Sequence, residues 1–281
     1  MGSQPLSKQD TYVLARDFKS ASRLNYEHYL WHETIGYDLH PEILATLPSS
    51  VDQASIKIAD IACGTAIWLR RVAQQLPHAH LDGYDISLAQ CPPVQWLPKN
   101  VRLREWDLFN EPSEETLGAY DVVHVRLLFV VVRDSDPRPI LRNLKRLLRP
   151  GGYLQWDELN VSKSFILRAE EGIEAPVMEG KLEFLEKVGK WVAELAKCME
   201  ECGFEGSKLW EAPEREDLAK AFFDNHLAKD EEMAEKSLDR EMLLEQNRVM
   251  CEESRWGVVL CTPKVVYTAR KGLEENGVAV V

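Results

Sequence analysis

Residues 58–85 read IADIACGTAIWLRRVAQQLPHAHLDGYD, and this stretch decides the fold. A short apolar strand, Ile56–Ala62, leads into a small-residue turn at 63–65 and an amphipathic helix predicted over 67–75. A second strand, Leu81–Asp85, then ends in a carboxylate. Backbone amides at a helix start attract negative groups, and an acid at the end of the second strand accepts the hydroxyls of a ribose. The stretch therefore predicts half of a nucleotide site.

The chain beyond this stretch continues to alternate between strand and helix. Further strands are predicted over 101–105, 120–127 and 153–157, and a helix over 139–148. The strand at 120–127, YDVVHVRL, is almost continuously apolar, as is typical of a strand covered on both faces. This alternation predicts an α/β fold with a parallel, doubly wound sheet.

The last third of the chain has a different pattern. A long amphipathic helix is predicted over 180–202, ended by Gly203. Strands predicted over 208–211 and 258–269 could pair antiparallel at the sheet edge, and a helical insertion at about 213–256 separates them. The insertion is either a lid over the ligand site or an oligomerisation surface, which would make the protein a homodimer.

The chain divides into an N-terminal helical cap, residues 1–47, and a main domain, residues 48–281. Residues 1–10 are predicted to be a mobile leader. The rest of the cap reads as two or three short helices with breaks at Gly36 and Pro41. Its aromatic residues either pack against the main domain or also roof the ligand site.

The composition is that of an ordinary soluble globule, with 45% hydrophobic and 28% charged residues in 281. A net charge of −12 and a pI near 5.2 argue against a nucleic-acid partner, because such binders present excess Lys and Arg. No window has the roughly 18 apolar residues of a membrane span, and no secretory leader is apparent at the start. We expect a cytoplasmic protein.

Cysteine and histidine spacing indicates neither a disulfide framework nor a metal site. Six cysteines are too sparse for a framework, and they form no CxxC pair. His28 and His32 are four residues apart, as metal ligands on a helix can be, but no third ligand with suitable spacing follows. We therefore predict no metal and interpret both histidines as helix-surface or pocket residues.

The ordered motifs of the chain resemble those of the class I S-adenosylmethionine-dependent methyltransferases, in particular the small-molecule methyltransferases of fungal secondary metabolism, including gliotoxin-type N-methyltransferases. The resemblance covers nearly the whole chain. It implies a Rossmann-like, seven-stranded sheet with an N-terminal helical cap and a helical insertion before the last strand, and S-adenosylmethionine as cofactor. The motifs are RLNYEHYLWHETIGYDLHP (23–41), DIACGTAIWL (60–69), YDIS (84–87), WDLF (106–109), YDVVHVRLLF (120–129) and LLRPGGYLQWDE (147–158).

By this resemblance, the loop from Asp60 to Ala66 passes under the methionine part of the cofactor. Glycine commonly flanks Gly64 at alternate positions in the family, whereas this chain has Ala62 and Ala66. Alanine is the smallest replacement, but we expect it to deny the loop a positive φ. The alternative is a glycine turn that only joins strand to helix.

The resemblance assigns two acids and their neighbours to the nucleoside. Asp85 would hold the ribose hydroxyls with Ile86 beside the adenine, although Asp85 could be a plain helix N-cap. Asp107 would meet the adenine amino group and Leu108 would cover the ring, although Asp107 could instead cap the turn before Asn110.

The fourth strand and its neighbour would line the space between the methyl group and the acceptor. His124 and Arg126 share one face of that strand, with Val125 counted among the cofactor residues. His124 could act as a base or be a buried strand histidine. Arg126 could orient the acceptor or the cofactor carboxylate, or form an ion pair with Asp157 or Glu158, both reserve candidates for acceptor binding.

The aromatic motif of the cap would cover the cofactor and contact the acceptor. Trp31 and Tyr12 are assigned to the cofactor, and His28 and Tyr29 to the acceptor, with Asn25 in the same motif. Aromatic faces suit a sulfonium cation, yet aromatic residues in helices mostly belong to the core.

The resemblance therefore implies methyl transfer from S-adenosylmethionine to an oxygen or nitrogen of a small, apolar metabolite. Two alternatives remain open. The protein could keep the sulfonium as a fixed charge and catalyse a rearrangement or pericyclic reaction, or it could be a noncatalytic regulator with a degenerate pocket.

Overall fold

The computed structural model describes residues 12–48 and 53–273 of the chain. Its strands are β1 (Lys57–Ile61), β2 (His80–Asp85), β3 (Val101–Glu105), β4 (Tyr120–Arg126), β5 (Leu148–Leu159), β6 (Phe165–Arg168), β7 (Phe204–Glu211), β8 (Val258–Cys261) and β9 (Lys264–Lys271). Its α-helices are α1 (Phe18–Ile35), α2 (Pro41–Leu44), α3 (Ile67–Gln75), α4 (Arg138–Leu147), α5 (Pro176–Val188), α6 (Lys190–Ala193), α7 (Leu195–Glu201), α8 (Glu216–Glu235) and α9 (Arg240–Arg255).

Seven of the strands in the described residues form one sheet in the order β3-β2-β1-β4-β5-β9-β7. Strands β1 to β5 run parallel, and β9 is antiparallel to its neighbours β5 and β7. The predicted Rossmann-like, doubly wound seven-stranded sheet is confirmed. Because β1 to β5 are parallel, their carboxyl ends meet at one edge, which we call the carboxyl edge.

Helices cover both faces of the sheet through apolar stripes. Helix α3 buries Trp68, Leu69 and Val72 on one face, each at most 3% exposed. Helix α4 buries an apolar stripe on the other face, with α7 beside it. Since both faces are covered, the central strands are almost entirely apolar, and the polar residues that they bury need an explanation.

The described part of the cap contains one long helix, α1, and one short helix, α2. Asp17 caps α1, because its carboxylate accepts from the amides of Lys19 and Ser20 at 3.0 and 2.9 Å. Gly36 ends α1 in a left-handed conformation with φ 79°, as predicted, whereas Pro41 begins α2 instead of ending a helix. The predicted mobile leader, residues 1–10, lies outside the described residues.

The prediction of one long helix over 180–202 is wrong, because this region forms three helices, α5, α6 and α7. The first break falls at Gly189, where an added Cβ would lie 2.3 Å from Val161 Cγ2 and 2.6 Å from the Ser162 amide nitrogen. The chain turns there against the segment that contains Val161 and Ser162. The helical periodicity of the sequence carries no information about that contact. Gly203 follows α7 with φ 79°.

The strand predicted over 258–269 is two strands, because Pro263 separates β8 from β9. Strand β8 pairs antiparallel with β6, a strand that the sequence did not indicate, in a separate two-stranded sheet. The antiparallel pairing of β7 with β9 and the helical character of the insertion are confirmed. Within the described residues, no helix has both the length and the apolarity needed to span a bilayer.

Candidate active site

The loop between β1 and α3 adopts a left-handed backbone at alternate residues. Ala62, Gly64 and Ala66 have φ values of 58°, 55° and 57°. The expectation that alanine would deny a positive φ is therefore wrong, since both alanines take the glycine-like conformation. Each costs of order 1 to 3 kcal/mol, a strain that persists where surrounding structure imposes it and that clusters at ligand sites.

Asp85 fastens this loop to the end of β2. The Gly64 amide donates to Asp85 Oδ2 at 2.9 Å, and the Ser87 amide donates to Oδ1 at 3.1 Å. Burial raises the pKa of Asp85, and the two amides oppose that rise. No α-helix starts directly after Asp85 in the described residues, so the helix N-cap alternative is wrong. Ile86 is 49% exposed beside it, which leaves an apolar surface next to the carboxylate.

Tyr12 and the segment after it lie close to Asp85. Burial raises the pKa of Tyr12, and the Asp85 charge adds to the effect, so the two groups interact. The guanidinium of Arg16 lies 4.9 Å from the Tyr12 ring centroid. Lys236, just after α8, donates to the carbonyl oxygens of Tyr12 and Leu14 at 3.1 and 2.8 Å. The insertion therefore holds the first described residues of the cap near the loop.

The structure places Asp107 and Leu108 differently from each other. Asp107 Oδ1 accepts from the Phe109 amide at 3.0 Å, so the carboxylate caps a turn, as the alternative for this residue proposed. Its side chain is half-buried, so the contact of Asp107 with the adenine stays a prediction. Leu108 is 7% exposed and packs in the core on the α4 side, so little of its side chain is left to cover a ring.

Four charged side chains form a buried chain across three strands. His124 Nδ1 lies 2.7 Å from Asp60 Oδ1, and His124 Nε2 lies 3.3 Å from Asp157 Oδ2. Arg126 donates to the same Asp157 oxygen from Nε and Nη2 at 3.0 and 2.7 Å. Two carboxylates thus face an imidazole and a guanidinium, and the cluster is neutral when His124 is protonated.

The environment of His124 supports that protonation state. Burial lowers the pKa of His124, but the bonds and charges of Asp157 and Asp60 outweigh burial, so the pKa is raised. Conversely, burial raises the pKa of Asp157, but Arg126 and His124 bring it below its usual value. The imidazole also stacks on Trp68 with the ring centroids 3.8 Å apart and an angle of 2° between the planes.

This geometry argues against His124 as a base. Both ring nitrogens face carboxylates and the residue is 1% exposed, so neither nitrogen is available to an acceptor. The buried strand histidine, the alternative left open, describes it. Val125 has no exposed surface and its side chain packs on the opposite face of the sheet, in the core beside α4, so its predicted cofactor contact is left to its backbone.

Arg126 joins the strands to the cap. Its pair with Asp157 is the ion-pair alternative for this residue, and Nη1 donates to His28 Nδ1 at 3.1 Å. The guanidinium carbon lies 5.2 Å from the Trp31 ring centroid. Burial and the charge of Arg126 lower the pKa of His28 to about 3, so His28 is a neutral acceptor.

The aromatic residues of α1 have different environments. Trp31 is fully buried and packs with Leu127 and Leu159 at the carboxyl ends of β4 and β5. Tyr29 is 53% exposed, and its ring lies edge-on to that of His28 with the centroids 5.5 Å apart, so its contact with the acceptor stays a prediction. Asn25 accepts from the Thr65 hydroxyl at 2.7 Å, which ties α1 to the glycine loop. Helix α1 therefore crosses the carboxyl edge as a roof.

Several polar residues of the site have no signal in the sequence. Asp38 has an oxygen 3.8 Å from His28 Nε2 and 3.3 Å from His32 Nδ1, and its carbonyl accepts from Gln155 Nε2 at 3.0 Å. His32 Nε2 lies 2.9 Å from Arg71 Nη2, whereas His28 Nδ1 lies 3.1 Å from Arg126 Nη1, so the two histidines share Asp38 and face different cations. One feature of the sequence could have indicated this hydrogen-bond network: a polar residue, Gln155, in a strand predicted to be buried.

The insertion packs onto the roof. Arg23 of α1 donates to Glu232 of α8 from Nε at 3.0 Å, and both side chains are largely buried. Asp230 of α8 also pairs with Lys181 of α5. The insertion thus contacts the cap above the carboxyl edge, where a lid would lie.

The loop and Asp85 fit a nucleoside cofactor. The loop presents three left-handed residues with small side chains, and Asp85 offers two carboxylate oxygens directly beside it. The half-buried acid and exposed Ile86 supply the polar and apolar partners that a ribose and an adenine need. In contrast, a cavity of about 670 Å³ lies at the opposite, amino ends of the strands, lined by Lys57, Asp82 and Tyr120 among others.

Comparison with known proteins agrees with this geometry. Residues 59–154 match the family described as "Methyltransferase domain". The methyltransferase grgD of a Penicillium species is 35% identical over 162 residues, which are 54% of this chain and 54% of that protein. Residues 59–154 are thus similar to a methyltransferase domain, which agrees with the predicted resemblance to class I S-adenosylmethionine-dependent methyltransferases. The similarity supports the predicted cofactor, S-adenosylmethionine.

Other relatives of the methyltransferase domain carry different names. The N-methyltransferase tcpN of Claviceps purpurea is 31% identical over 141 residues, covering 50% of this chain and 48% of that protein. The secondary metabolism regulator laeA of Coprinopsis cinerea is 30% identical over 151 residues, covering 54% of this chain and 36% of that protein. The chain thus spans about half or less of the length of these relatives.

A solved structure supports the fold. Phosphoethanolamine N-methyltransferase 2 of Haemonchus contortus, in complex with S-adenosylhomocysteine, superposes with a TM-score of 0.52. The match covers 96% of this chain and 62% of that chain at 13% identity, so it concerns the fold alone.

Proposed function

We propose that this chain binds S-adenosylmethionine at the loop 62–66 and Asp85 and transfers the methyl group to an oxygen or nitrogen atom of a small-molecule acceptor. The observation that carries the proposal is the left-handed loop fastened to Asp85 by the Gly64 amide. A strained small-residue loop beside an acid is the arrangement that such a nucleoside requires.

Asp85, Ile86 and the loop are the groups that would hold the cofactor. Asp85 accepts the ribose hydroxyls, Ile86 contacts the adenine, and the small side chains of Ala62 and Gly64 allow the backbone to approach the methionine part. When bound, the cofactor supplies a methyl group on a sulfonium centre. Asp107 is the proposed partner of the adenine amino group. Its Oδ1 accepts from the Phe109 amide, so Oδ2 is the oxygen that would make this contact.

The chain's own contribution to the reaction is orientation and exclusion of water. We assign His124 and Arg126 to positioning, because they hold Asp60 and Asp157 at the ends of β1 and β5. Helix α1 shields the carboxyl edge with Trp31. Methyl transfer depends mainly on alignment of the acceptor lone pair with the methyl group. A carboxyl edge that is preorganised and shielded from water favours that alignment.

The nature of the acceptor is inferred from relatives. Several similar proteins are named as methyltransferases or N-methyltransferases of fungi, which supports a secondary metabolite as acceptor. A cap and an insertion that close over the edge suit a small molecule, and the net charge of −12 disfavours nucleic acid.

The test is mass spectrometry of fungal metabolite extracts incubated with the protein and S-adenosylmethionine carrying a labelled methyl group. We expect a product heavier by the labelled methyl and an equal amount of S-adenosylhomocysteine. The Asp85→Asn variant is the matched control and, at a cofactor concentration that does not saturate it, should form much less of both. Acceptor turnover without S-adenosylhomocysteine would contradict methyl transfer and support the rearrangement alternative.

A regulator is the second candidate, because similarity to proteins named secondary metabolism regulators recurs among the relatives. In that case no small metabolite in the extract would gain a label. Cofactor binding with no labelled product across extracts would therefore favour the regulator.

A further inference from the structure

Basic side chains gather around the cavity of about 670 Å³ at the amino ends of β1, β2 and β3, which we call the amino-edge cavity. Two acids, Asp82 and Glu115, also line it. The chain as a whole has a net charge of −12, so a local excess of positive charge is contrary to its composition. A concave surface with charge of one sign attracts ligands of the opposite sign. The basic residues of the lining are Lys57, His78, His80, Lys99, Arg102 and Arg104.

The register of the strands places four of these groups on one face of the sheet. Lys57 of β1 pairs with His80 of β2, and Tyr84 of β2 pairs with Arg104 of β3. Because side chains alternate along a strand, Lys57, His80 and Arg104 share the face on which Tyr84 packs. Arg102, two residues before Arg104, lies on the same face. The strands thus form a basic wall.

This part of the face has no covering helix. The segment 106–119 joins β3 to β4 and forms one 3₁₀ turn, Glu114–Thr116, and no α-helix. A connection between parallel strands usually contains an α-helix, and parallel strands are usually covered on both faces. Helices α4 and α7 pack on this face nearer the centre of the sheet. The basic wall therefore stays open to a ligand.

Most of the positive charge in the amino-edge cavity is not used inside the fold. Arg104 pairs with Glu115, and the two side chains are 41% and 67% exposed. Asp82 accepts from the Tyr120 hydroxyl at 3.0 Å. Three other cations form no ion pair within the described part of the chain: Lys57, Lys99 and Arg102. Their charges are available to an anion.

The size and the lining of the cavity favour a small phosphorylated molecule. Its volume lies within the range of small-molecule sites and is far larger than one phosphate group. Arginine and lysine donate charge-assisted hydrogen bonds to phosphate oxygens. Tyr120 is the aromatic residue of the described lining, and it is 3% exposed, so a nucleobase would find no ring to stack on. The lining therefore suits phosphate groups themselves.

The spacing of the cations indicates more than one phosphate. Neighbouring strands lie about 4.8 Å apart, so the backbones at Lys57 and Arg102, two strands apart, are separated by roughly 10 Å. We propose that the amino-edge cavity binds a small molecule that carries two or more phosphate groups, with Lys57 and Arg102 contacting different groups. The site lies at the edge of the sheet opposite the loop 62–66, so the inference does not depend on the proposed function.

The experiment is a calorimetric titration of the full chain with inorganic tripolyphosphate, in buffer without divalent cations. An ionic strength of about 0.15 M screens exposed charges that are more than about 8 Å apart. We expect wild type to bind tripolyphosphate at least about tenfold more tightly than orthophosphate, because only the longer anion contacts cations on both β1 and β3. Equal affinity for the two anions would overturn the proposal.

Substitutions of single cations test the contacts. Arg102→Gln and Lys57→Gln should each weaken tripolyphosphate binding by about tenfold, as expected for loss of a charge-assisted hydrogen bond. Arg255→Gln, at the end of α9, is the matched control, because it removes one exposed arginine outside the cavity. Equal tripolyphosphate affinity in Arg102→Gln and Arg255→Gln would overturn the assignment. The midpoint of urea unfolding confirms that each variant is folded.

Removal of an acid from the lining should have the opposite effect. Glu115→Gln releases Arg104 and removes a competing carboxylate, so tripolyphosphate binding should tighten by about two- to fivefold, the range for one exposed charge. A folding defect cannot produce tighter binding. Unchanged or weaker binding by Glu115→Gln would contradict recognition through the charges of the amino-edge cavity.

An acidic peptide is the alternative occupant, and a pentaglutamate peptide tests it. This peptide has a charge comparable to that of tripolyphosphate but no phosphate, and we expect it to bind at least about tenfold more weakly. Equal affinity would overturn the phosphate assignment in favour of an acidic peptide. No binding of tripolyphosphate by wild type would overturn the site itself. Neither result alters S-adenosylhomocysteine binding, which tests the proposed function separately.

Discussion

At the scale of single residues, the loop at 62–66 stores backbone strain in alanines. Ala62 has φ 58°, a conformation that glycine adopts without cost. We expect Ala62→Gly to stabilise the protein by about 1 kcal/mol, measured by urea unfolding, because it relieves strain of that order. Ala59→Gly, in the adjoining strand β1, is the control and should destabilise by about 1 kcal/mol. Destabilisation by both substitutions would contradict the left-handed assignment of Ala62.

Glu158, at the end of β5, is a buried acid whose titration should affect stability. Burial raises its pKa from 4.5 to about 8, although the Leu159 amide and the Trp156 indole N–H oppose this. The folded state therefore keeps a proton that the unfolded chain releases above pH 4.5. Wild type should lose stability relative to Glu158→Gln as pH rises from 4.5 to about 8, and no further above that.

The measurement for Glu158 is the difference between the unfolding free energies of wild type and Glu158→Gln across that pH range. Glu211→Gln removes an exposed carboxylate on β7 and is the control for loss of an acid at the surface. A difference for Glu158→Gln that stays constant with pH would contradict the raised pKa of the buried acid.

The residue scale also shows where sequence reasoning ends. Asp60, Gly64 and Asp85 could be identified because their roles depend on positions next to one another along a strand–turn–helix–strand unit. The partners of His124 could not, because Asp60 and Asp157 lie 64 and 33 residues away on other strands. Whether a strand histidine is free or held between two acids depends on those long-range pairings, and local patterns carry no information about them.

At the scale of elements, local signals were sufficient wherever they agreed with tertiary packing. Helix α3 starts and ends as predicted because its amphipathic stripe meets the sheet directly. The helix predicted over 180–202 breaks at Gly189 because another segment packs there, and β6 exists only as the partner of β8. Contacts between distant segments decided both cases.

The contact between α1 and α8 is the element-scale feature that a mutation can test. Arg23 donates to Glu232 and also lies 3.6 Å from Glu27, and its side chain is 5% exposed. Arg23→Gln should destabilise the protein by about 2 to 3 kcal/mol, because it leaves buried carboxylates unpaired. Amide hydrogen exchange in α8 should increase at the same time, since its attachment to the cap is lost.

The control for Arg23 is Arg240→Gln on α9. Arg240 pairs with Glu235, and both side chains are about half exposed, at 50% and 51%, so the substitution should change stability little. Equal effects of the two substitutions, or α8 exchange that does not change in Arg23→Gln, would contradict the attachment of the insertion to the cap.

At the scale of the whole molecule, the predicted division into a cap, residues 1–47, and a main domain with an insertion at 213–256 stays a prediction. The described part of the cap lies over the carboxyl edge, and the insertion contacts it, which is consistent with a roof made of both. The homodimer and the cytoplasmic location also remain predictions from the sequence. Size-exclusion chromatography with light scattering would determine the number of subunits.

The central claim is that the loop 62–66 and Asp85 form the site of an adenosyl cofactor. The most direct measurement is a calorimetric titration of S-adenosylhomocysteine into wild type, Asp85→Asn and Asp82→Asn. Asp82, on the same strand, accepts from the Tyr120 hydroxyl at the opposite end and is the matched control. We predict binding by wild type and Asp82→Asn and about ten- to a hundredfold weaker binding by Asp85→Asn. Equal affinity in Asp85→Asn, or no binding by wild type, would contradict the claim.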